Sequence, residues 1–410
     1  MASIELCGVS KVFRDGSCAL QALDLEVRSG ELLVLMGPSG SGKTTTLRMI
    51  AGLEEPSSGA IRLDGRELRG LPPRRRNIAM VFQGLGLYGH WTARQNLTFG
   101  LRMQERGWLG ATWERWFSSA DGQTDLENSG NQKHTDEGAA VRWVADLLGI
   151  DSLLEKRPAE LSGGEQQRVA IGRALVRRPA VFLFDEPLAN LDGPTRLILR
   201  REVKRLQRVL GVTTIYVTHD QAEALALGDR IAVLHAGRLQ QIGTPAEVYR
   251  QPANRQVASL FGLQGMNFLT GTVGDEGQWT INGGEWRVHL PTAVQTSFDG
   301  NTPSAMQLGI RPEDVRVTEG SNPQPSCWQA TVQDIEFQGA ATYLHLRPAG
   351  PGESRERDDH VPTLTGRWAN ETPPPDVGSQ VNVNFEEHKL CWFDAAGINR
   401  GIQTADSDKK

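Results

Sequence analysis

The 410-residue sequence predicts an α/β domain built on a parallel sheet, followed by a β-rich domain. Two continuous apolar runs, at residues 32–36 and 181–184, are typical of parallel strands that are buried on both faces. After about residue 263, short alternating strands are separated by turns containing Gly and Pro, which favours a small barrel of the OB type. A chain of this length is too long for one ordinary core, so we expect two or three compact units.

Composition and charge narrow the possible functions. The formal net charge of −5 and the isoelectric point near 6.0 argue against a nucleic-acid-binding protein, because such domains are normally basic. The four cysteines lie far apart and lack the paired spacings of zinc sites or disulfide frameworks, which fits a reducing cytoplasm. The sequence has no signal-like segment and no apolar run long enough to span a membrane. We therefore expect a soluble chain whose membrane role, if any, depends on a partner.

The first domain is organised around a glycine-rich loop between the predicted strand at 32–36 and a predicted helix that begins near residue 45. Glycines let such a loop wrap closely around an anion, and its amides and the helix N-terminus attract phosphate. We expect Lys43 to reach the β- and γ-phosphates of a nucleotide and the Thr44 hydroxyl to bind Mg²⁺, which prefers oxygen ligands. The candidate nucleotide-binding residues of this loop are Gly37, Pro38, Ser39, Gly40, Ser41, Gly42, Lys43, Thr44 and Thr45.

A predicted antiparallel hairpin precedes this loop, with strands at residues 4–9 and 20–27 and a turn at Asp15 and Gly16. Phe13 lies between the two strands. An aromatic ring that precedes a phosphate loop can stack on adenine, whereas the alternative is a core ring of the same hairpin. The other motifs favour stacking, so Phe13 is a candidate residue for contact with the base.

Two acidic residues, Asp185 and Glu186, follow the predicted strand at 181–184. Ligands of doubly wound α/β folds bind outside the carboxyl ends of the strands, which is where these side chains are expected. We predict that Asp185 holds Mg²⁺ through water and that Glu186 accepts a proton from the attacking water. The alternative is a pair of exposed acids without a role in catalysis.

Polar residues also follow two further predicted strands. The strand at 78–82 ends at Gln83, whose amide oxygen could approach a metal ion or the attacking water, or could simply be a polar strand terminus. The strand at 213–218 is followed by His219, which is suited to hydrogen-bond the γ-phosphate, although a lone histidine is more often structural. The candidate catalytic residues are Glu186, His219 and Gln83, and the candidate metal ligands are Thr44, Gln83 and Asp185.

Between residues 85 and 161 apolar residues recur at helical spacing, which predicts a helical subdomain. The polar stretch 118–138 inside it has the composition of a loop or disordered insert, and the basic cluster 74–76 before it is predicted to be a solvated face. Ser162 is a good N-cap, and the two glycines after it leave a helix start open to an anion. The alternative for this segment is a capped helix and no more.

Taken together and in order, these motifs resemble those of the ATP-binding-cassette ATPases, over residues 4–239. They are the phosphate loop at 37–44, the Q-loop glutamine Gln83, the signature LSGGEQ at 161–166, the second acidic motif at 181–186, the D-loop at 189–192 and the switch histidine His219. The resemblance implies an α/β P-loop NTPase cassette, with a parallel-sheet core and with antiparallel β and helical subdomains, that binds ATP and Mg²⁺. It also implies a head-to-tail dimer with a second copy of the chain. The residues implied to contact the partner's ATP are Ser162, Gly163, Gly164 and Glu165.

The rest of the chain is similar to a narrower group within that family. The segments at 243–249 and 309–314 follow the pattern of the cytoplasmic ATPases of carbohydrate, glycerol-phosphate, polyamine and ferric-iron uptake systems, which carry an OB-like regulatory domain. The resemblance implies an energy-coupling ATPase at the cytoplasmic face of the inner membrane. Its partners would be transmembrane permease subunits and, indirectly, a solute-binding protein, with no nucleic acid.

The predicted domains are a cassette at 4–240, a linker at 241–262, an OB-like domain at 263–402 and a polar tail at 403–410. The helical subdomain is placed at about 84–165. An OB-like domain could instead bind nucleic acid, but its charge is not basic and its tryptophans are predicted to form the barrel core. These are Trp279, Trp286, Trp328 and Trp392. Two other functions remain open, a soluble ATPase of this family acting on chromosomes or ribosomes and a nucleoside or metabolite kinase, although the latter shares only the phosphate loop.

The sequence departs from the family pattern at three places. Glu165 replaces the usual signature glutamine, and Gly89 and Trp91 replace proline and methionine on the surface implied to receive the permease. The segment 107–138 is longer than the relatives need. Its apolar residues at helical spacing are expected either to pack on the helical subdomain or to contact a permease loop or the bilayer surface. They are Leu109, Trp113, Trp116 and Phe117.

Overall fold

The structure is a computed structural model that describes residues 2–102, 132–262, 264–274, 277–282, 286–297, 305–320, 327–349, 363–369 and 372–401. It divides into two compact units, Met1–Pro245 and Ala246–Lys410. The boundary falls close to the end of the predicted cassette. The α/β class of the first unit and the β-rich class of the second are both confirmed.

The first unit contains two sheets and six described helices. Its strands are β1 Ile4–Val12, β2 Cys18–Val27, β3 Leu32–Met36, β4 Ser58–Leu63, β5 Arg66–Glu67, β6 Ile78–Val81, β7 Val181–Asp185, β8 Thr213–Thr218, β9 Arg230–His235 and β10 Arg238–Gly243. Its helices are α1 Lys43–Ala51, α2 Ala93–Arg102, α3 Gln132–Leu148, α4 Gly163–Leu175, α5 Gly193–Leu210 and α6 Gln221–Leu227. One sheet has the order β2-β1-β4-β5 and is antiparallel, and the other has the order β10-β9-β3-β8-β7-β6.

The strands of the second sheet are parallel except for the edge strand β10. Every residue of β3, β7 and β8 is buried, which agrees with the prediction of strands covered on both faces. Leu33 and Leu35 of β3 lie in one apolar core with Leu183 of β7 and Leu47 of α1, all fully buried. This core fixes the strands and α1 against each other, so the carboxyl ends of β3, β7 and β8 lie side by side.

Helix α4 packs against α2 and α3 through a residue without a side chain. A Cβ atom on Gly172 of α4 would lie within 2.8 Å of Leu97 in α2 and within 3.1 Å of Val144 in α3. The predicted helical subdomain is therefore present, but α3 begins at Gln132, so residues 132–138 are helical rather than loop. Once a helix has formed, each added residue gains one backbone hydrogen bond. A helix held in place by its apolar residues can therefore continue into an adjoining polar segment such as residues 132–138. The apolar residues predicted for the segment 107–138 lie outside the described residues.

The basic cluster at 74–76 is only partly solvated, which corrects the prediction. Arg76 is 5% exposed, and its guanidinium donates hydrogen bonds to the carbonyl oxygens of Met49 (2.7 Å), Ile50 (3.0 Å) and Leu71 (2.9 Å). Helix α1 leaves its last carbonyls without partners inside the helix, and a cation at that end also interacts favourably with the helix dipole. Arg76 therefore closes the C-terminus of the helix that follows the phosphate loop.

The second unit combines a closed barrel, an open sheet and short helices. Its strands are β11 Asn267–Val273, β12 Gln278–Ile281, β13 Arg287–His289, β14 Ala305–Ile310, β15 Arg316–Glu319, β16 Trp328–Phe337, β17 Thr342–Pro348, β18 Leu364–Trp368, β19 Gln380–Asn384 and β20 Cys391–Phe393. Its helices are α7 Pro245–Arg250, α8 Arg255–Ser259 and α9 Thr292–Thr296. The described strands form an open sheet in the order β13-β12-β11-β14-β20 and a closed barrel in the order β15-β18-β17-β16-β19.

Two sequence predictions for the second unit need correction. Residues 246–262 were predicted as part of a linker, but they carry α7 and α8 and belong to this compact unit. Trp279 and Trp392 are fully buried as predicted, yet they lie on β12 and β20 of the open sheet rather than in the barrel. Trp328 of the barrel is only partly buried and stacks on Trp286, with 4.2 Å between the ring centroids. The sheet and the barrel share one apolar core.

Across the described parts of the chain, no helix is both long enough and apolar enough to cross a bilayer.

Candidate functional site

The glycine-rich loop lies between β3 and α1, where the sequence analysis placed it. Gly37 and Gly42 are required there for steric reasons: a Cβ on Gly37 would lie 2.1 Å from the carbonyl oxygen of Leu234, and one on Gly42 would lie 2.6 Å from that of Ala19. Gly42 also has φ 101° and forms the N-cap of α1. The loop therefore runs directly against the neighbouring backbone, as a loop that wraps closely around an anion does.

Lys43 is held inside the curve of this loop. It is 5% exposed, and its Nζ donates hydrogen bonds to the carbonyl oxygens of Gly37 (2.8 Å) and Pro38 (2.9 Å). Burial lowers the pKa of the Lys43 ammonium, while the carboxylates of Glu186 and Asp185 oppose this shift. The Lys43 ammonium is thus held against two carbonyl oxygens of the loop.

Ser41 indicates that the loop fits a ligand that carries hydrogen-bond acceptors. Its Oγ is buried, and no described group forms a hydrogen bond with it. A buried hydroxyl without a partner costs free energy, and such exceptions call for an explanation such as an absent ion or ligand. Together with the amides of the loop and the Lys43 ammonium, Ser41 gives this site the donors that phosphate oxygens accept.

A cleft of about 320 Å³ opens beside the phosphate loop and is lined by residues of the loop, of α1 and of the hairpin β1–β2. Phe13 lies at this cleft between β1 and β2 and is 37% exposed, so it is not a core ring of the hairpin. The Nζ of Lys11 lies 5.1 Å from the centroid of the Phe13 ring. Ser17 and Cys18 also line the cleft and were not predicted, although the hairpin turn next to them was. The stacking role of Phe13 stays a prediction.

Thr44 and Asp185 meet where α1 begins and β7 ends. The Thr44 Oγ1 donates a hydrogen bond of 2.9 Å to the Asp185 Oδ1. Burial raises the pKa of the Asp185 carboxyl; the hydrogen bond from Thr44 opposes this shift, and the neighbouring Glu186 adds to it. This pair supplies the hard oxygen ligands that Mg²⁺ prefers.

No described group of three or more His, Cys, Asp or Glu side chains is arranged to hold a metal ion. Mg²⁺ is usually held by only one or two protein oxygens, because it keeps several waters and binds the phosphates of a substrate. The Thr44–Asp185 pair therefore fits Mg²⁺ that enters with a nucleotide better than a metal ion held by protein alone.

Glu186 and His219 lie at the carboxyl ends of the neighbouring strands β7 and β8. The His219 Nδ1 lies 3.0 Å from the Glu186 Oε2, and the His219 side chain is 61% exposed while that of Glu186 is 19% exposed. His219 is thus not a buried structural histidine. The two residues form an acid–imidazole pair that faces the open side of the site.

The backbone of Glu186 adopts an unusual conformation. Its φ is 47°, in the left-handed region, and its amide donates a hydrogen bond of 3.0 Å to the Val217 carbonyl of β8. A residue with a side chain in that region costs about 1–2 kcal/mol, and such residues cluster at functional sites. This conformation ends β7 directly after Asp185.

Gln83 lies two residues beyond the end of β6, and its side chain is exposed. The strand was predicted to reach residue 82, but it ends at Val81, and Phe82 is 40% exposed. Among the described contacts, neither the Thr44–Asp185 hydrogen bond nor the Glu186–His219 pair includes Gln83. Its metal and catalytic roles stay predictions.

The signature at 161–166 forms the start of α4 and is stabilised by a reciprocal cap. The Ser162 Oγ accepts a hydrogen bond from the Glu165 amide (3.4 Å), and the Glu165 Oε2 accepts from both the Ser162 amide and its hydroxyl (2.8 Å each). These hydrogen bonds lower the pKa of the Glu165 carboxyl. The cap was missed in the sequence analysis although the pattern Ser-x-x-Glu signals it. Ser162 and Gly163 are exposed, and neither lines the cleft described above.

The sequence is similar to well-characterised families along nearly its whole length. The ABC transporter family model matches residues 20–189, the MalK OB fold domain matches residues 265–315 and the TOBE domain matches residues 308–393. The chain is 42% identical to the trehalose/maltose import ATP-binding protein MalK of Thermococcus litoralis, over 96% of this chain and 98% of the relative. It is 42% identical to the sn-glycerol-3-phosphate import ATP-binding protein UgpC 3 of Agrobacterium fabrum, over 97% and 99%, respectively. It is 41% identical to the xylose/arabinose import ATP-binding protein XacK of Haloferax volcanii, over 96% and 94%.

Proposed function

The chain belongs to the ABC transporter family of ATPases, and on that premise we propose that it is the energy-coupling subunit of an importer for a sugar or a related small hydrophilic solute. The observation that carries this proposal is the group of Lys43, Thr44, Asp185, Glu186 and His219 at the carboxyl ends of adjacent strands. The relatives are import ATP-binding proteins, which favours import over a soluble ATPase acting on chromosomes or ribosomes, and over a kinase.

The loop residues 37–45 bind the phosphates of ATP in this proposal. Lys43 supplies positive charge to the β- and γ-phosphates, and Ser41 supplies its unpaired hydroxyl. Phe13 stacks on the adenine at the far side of the cleft, with Ser17 and Cys18 beside it. Thr44 would hold Mg²⁺ directly and Asp185 would hold it through water, with Gln83 as a further oxygen ligand. Bound Mg²⁺ offsets the negative charge of the phosphates.

Hydrolysis uses Glu186 as a general base. The carboxylate takes a proton from a water molecule whose oxygen attacks the γ-phosphorus, and the bond to the bridging oxygen of ADP breaks. His219 lies 3.0 Å from Glu186 and orients both the carboxylate and the γ-phosphate. General-base assistance of this kind contributes about 10²–10⁴ in rate.

A second copy of the chain completes each nucleotide site. The exposed Ser162 and Gly163, with the partly buried Gly164 and Glu165 beside them, contact the ATP that is held by the phosphate loop of the other copy. The two copies dock head to tail when ATP binds and separate after hydrolysis. The Ser162 hydroxyl must then exchange its hydrogen bond with Glu165 for one with a phosphate oxygen.

Permease subunits follow this motion at the surface near Gln83. An aromatic cluster lies there: the Tyr88 and Trp91 rings are 4.4 Å apart and the Tyr88 and Phe99 rings 5.0 Å apart, measured between centroids. Trp91 stands where uptake relatives usually have methionine, which gives this surface a bulkier apolar contact. In this proposal the protein is bound peripherally at the cytoplasmic face of the membrane. A solute-binding protein acts on it indirectly, through the permease. The second unit has a regulatory role.

The catalytic part of the proposal is tested with purified full-length protein. Glu186→Gln keeps the size of the side chain but removes the base, so ATP binding persists and kcat falls by about 10² or more. Lys43→Ala, in contrast, should weaken ATP binding itself, because it removes the positive charge that contacts the phosphates. Glu202→Gln is the matched control, because Glu202 is a partly buried carboxylate on α5 that pairs with Arg168 at 3.1 Å. Normal turnover by Glu186→Gln would disprove the assignment of the base.

The import part of the proposal is tested in cells that lack the gene. Uptake of radiolabelled trehalose, maltose, xylose and glycerol 3-phosphate should fall for at least one solute, and should be restored by the wild type but not by Glu186→Gln. A tagged chain should co-purify with a permease after detergent extraction. Unchanged uptake of all four solutes together with no co-purifying permease would contradict the importer assignment.

A further inference from the structure

The D-loop at 189–192 and the first turn of α5 pack directly on the signature of the same subunit. A Cβ atom on Gly163 would lie 3.2 Å from the Leu191 side chain, and one on Gly164 would lie 2.8 Å from the Thr195 side chain. The backbone of the signature therefore lies directly against side chains of the D-loop and of α5, and these segments pack as one element within each chain.

Arg196, in the first turn of α5, connects this element to the segment that carries His219. Its Nη2 donates a hydrogen bond of 2.9 Å to the carbonyl oxygen of Leu191 in the D-loop. Its Nη1 lies 3.5 Å from the Oδ2 of Asp220, the residue after His219. A guanidinium presents its N–H donors in a planar, fixed fork, whereas the ammonium of a lysine is a compact charge on a flexible stem.

Asp220, which pairs with Arg196, also forms hydrogen bonds with the chain on both sides of His219. Its Oδ1 accepts hydrogen bonds from the amides of Ala222 (2.7 Å) and Glu223 (3.1 Å) and so caps α6. The amide of Asp220 donates to the Thr218 Oγ1 at 3.0 Å, and that hydroxyl donates to the buried carboxylate of Glu223 at 2.9 Å. The path of the chain through His219 is thus defined by Asp220, and Asp220 is held by Arg196.

We propose that Arg196 is a positioning residue that ties the D-loop and the signature to His219, so that closure of the dimer sets the position of the imidazole relative to Glu186. The inference rests on the proposed function, because it takes the signature to meet the partner's ATP and His219 to meet a γ-phosphate. Arg196 and Asp220 are 34% and 29% exposed, and an ion pair of that kind contributes little to stability. Its loss should therefore appear in the rate of hydrolysis rather than in the melting temperature.

Helix α5 offers a matched control at the other end of α6. The Lys204 Nζ donates a hydrogen bond to the Leu227 carbonyl and pairs with the Asp229 Oδ1 at 2.8 Å. Like Arg196, Lys204 joins α5 to one carbonyl and one carboxylate, but it does so eight residues along the helix, away from His219. A purely structural role for Arg196 would make the two residues equivalent.

The experiment measures kcat, KM and melting temperature for Arg196→Met, Lys204→Met, Asp220→Asn and the double variant of Arg196 and Asp220. Arg196→Met should lower kcat roughly tenfold with KM within about twofold of the wild type, because a small misplacement of a reacting group costs that much or more. Lys204→Met should keep kcat within about twofold. Asp220→Asn keeps the helix cap, since Asn caps as well as Asp, and should match the loss of Arg196→Met. The double variant should be no slower than the single ones, because both remove one contact.

Equal values of kcat for Arg196→Met and Lys204→Met would overturn the inference, and so would losses that multiply in the double variant. If Arg196→Met does not fold, Asp220→Asn tests the same contact against the Lys204 control. A wild-type protein without ATPase activity would overturn the proposed function and this inference with it, whereas an active wild type with a normal Arg196→Met variant would overturn the inference alone.

Discussion

Replacing Arg76 tests whether the phosphate-loop helix depends on a buried guanidinium beyond its C-terminus. Arg76→Met preserves most of the apolar stem but removes the three donors that serve the carbonyls of Met49, Ile50 and Leu71. A hydrogen bond to a charged group contributes about 1.5–3 kcal/mol, so three give roughly 5–9 kcal/mol at most. Water reaches part of the freed site and the stem still packs, so we expect a loss of about 3–5 kcal/mol in the free energy of unfolding.

For a unit of this size, each kcal/mol shifts the melting temperature by about 2–4 °C. A loss near the middle of that range, about 4 kcal/mol, therefore predicts a drop of about 8–16 °C for the transition of the first unit, measured by scanning calorimetry without nucleotide. Arg75→Met, an exposed position on the same turn, is the control and should change the free energy of unfolding by less than about 0.5 kcal/mol. Equal melting temperatures for the two variants would refute the reasoning, because they would mean that Arg76 is solvated like its neighbour.

Two further substitutions test the site. Gly37→Ala places a Cβ 2.1 Å from the Leu234 carbonyl oxygen and should weaken ATP binding by about tenfold or more in calorimetric titration. At Gly40 a Cβ meets nothing within 4 Å, so the Gly40→Ala variant should bind ATP more tightly than the Gly37→Ala variant. Equal affinities of the two variants would contradict the steric argument. Asp185→Asn should raise the melting temperature at pH 7. Burial raises the pKa of the Asp185 carboxyl, so the folded state favours the protonated carboxyl and loses stability when the carboxyl ionises. Asparagine cannot ionise, so the variant avoids this loss. The gain should vanish as the pH falls below about 4, where the folded and unfolded states are both protonated; a gain that does not depend on pH would show that ionisation of Asp185 is not its cause.

Much of the fold could be predicted because its signals are local. The apolar runs of β3 and β7 and the spacing of the phosphate loop each depend on consecutive residues, and the structure confirms them. The start of α4 at Ser162 was also predicted. Its pairing with Glu165 could have been predicted as well, since a capping box spans only four residues.

Other features could not be predicted because they depend on contacts between distant parts of the chain or on backbone conformation. In the sequence Arg76 is one of three consecutive basic residues, which predicts an exposed cluster. In the structure the C-terminus of α1 lies against Arg76, which is therefore buried and donates hydrogen bonds to the carbonyls of that helix. The contact between Glu186 and His219 joins two strands that are adjacent in the sheet but 33 residues apart in sequence. The left-handed backbone of Glu186 has no signal at all in the sequence, because a residue other than Gly, Asn or Asp is not expected there. Proteins place such exceptions where function requires them.

The closed barrel of the second unit limits how another protein can recognise it. Strand β15 pairs with β19 along its whole length and with β18 at Arg316, so the described barrel strands form a closed ring. The open sheet beside it ends in β13 and β20, which are three residues long each, and short edges of this kind are poor templates for an added strand. A partner that binds by strand addition would find at most three residues of backbone at these edges, so recognition of the second unit depends on its side chains.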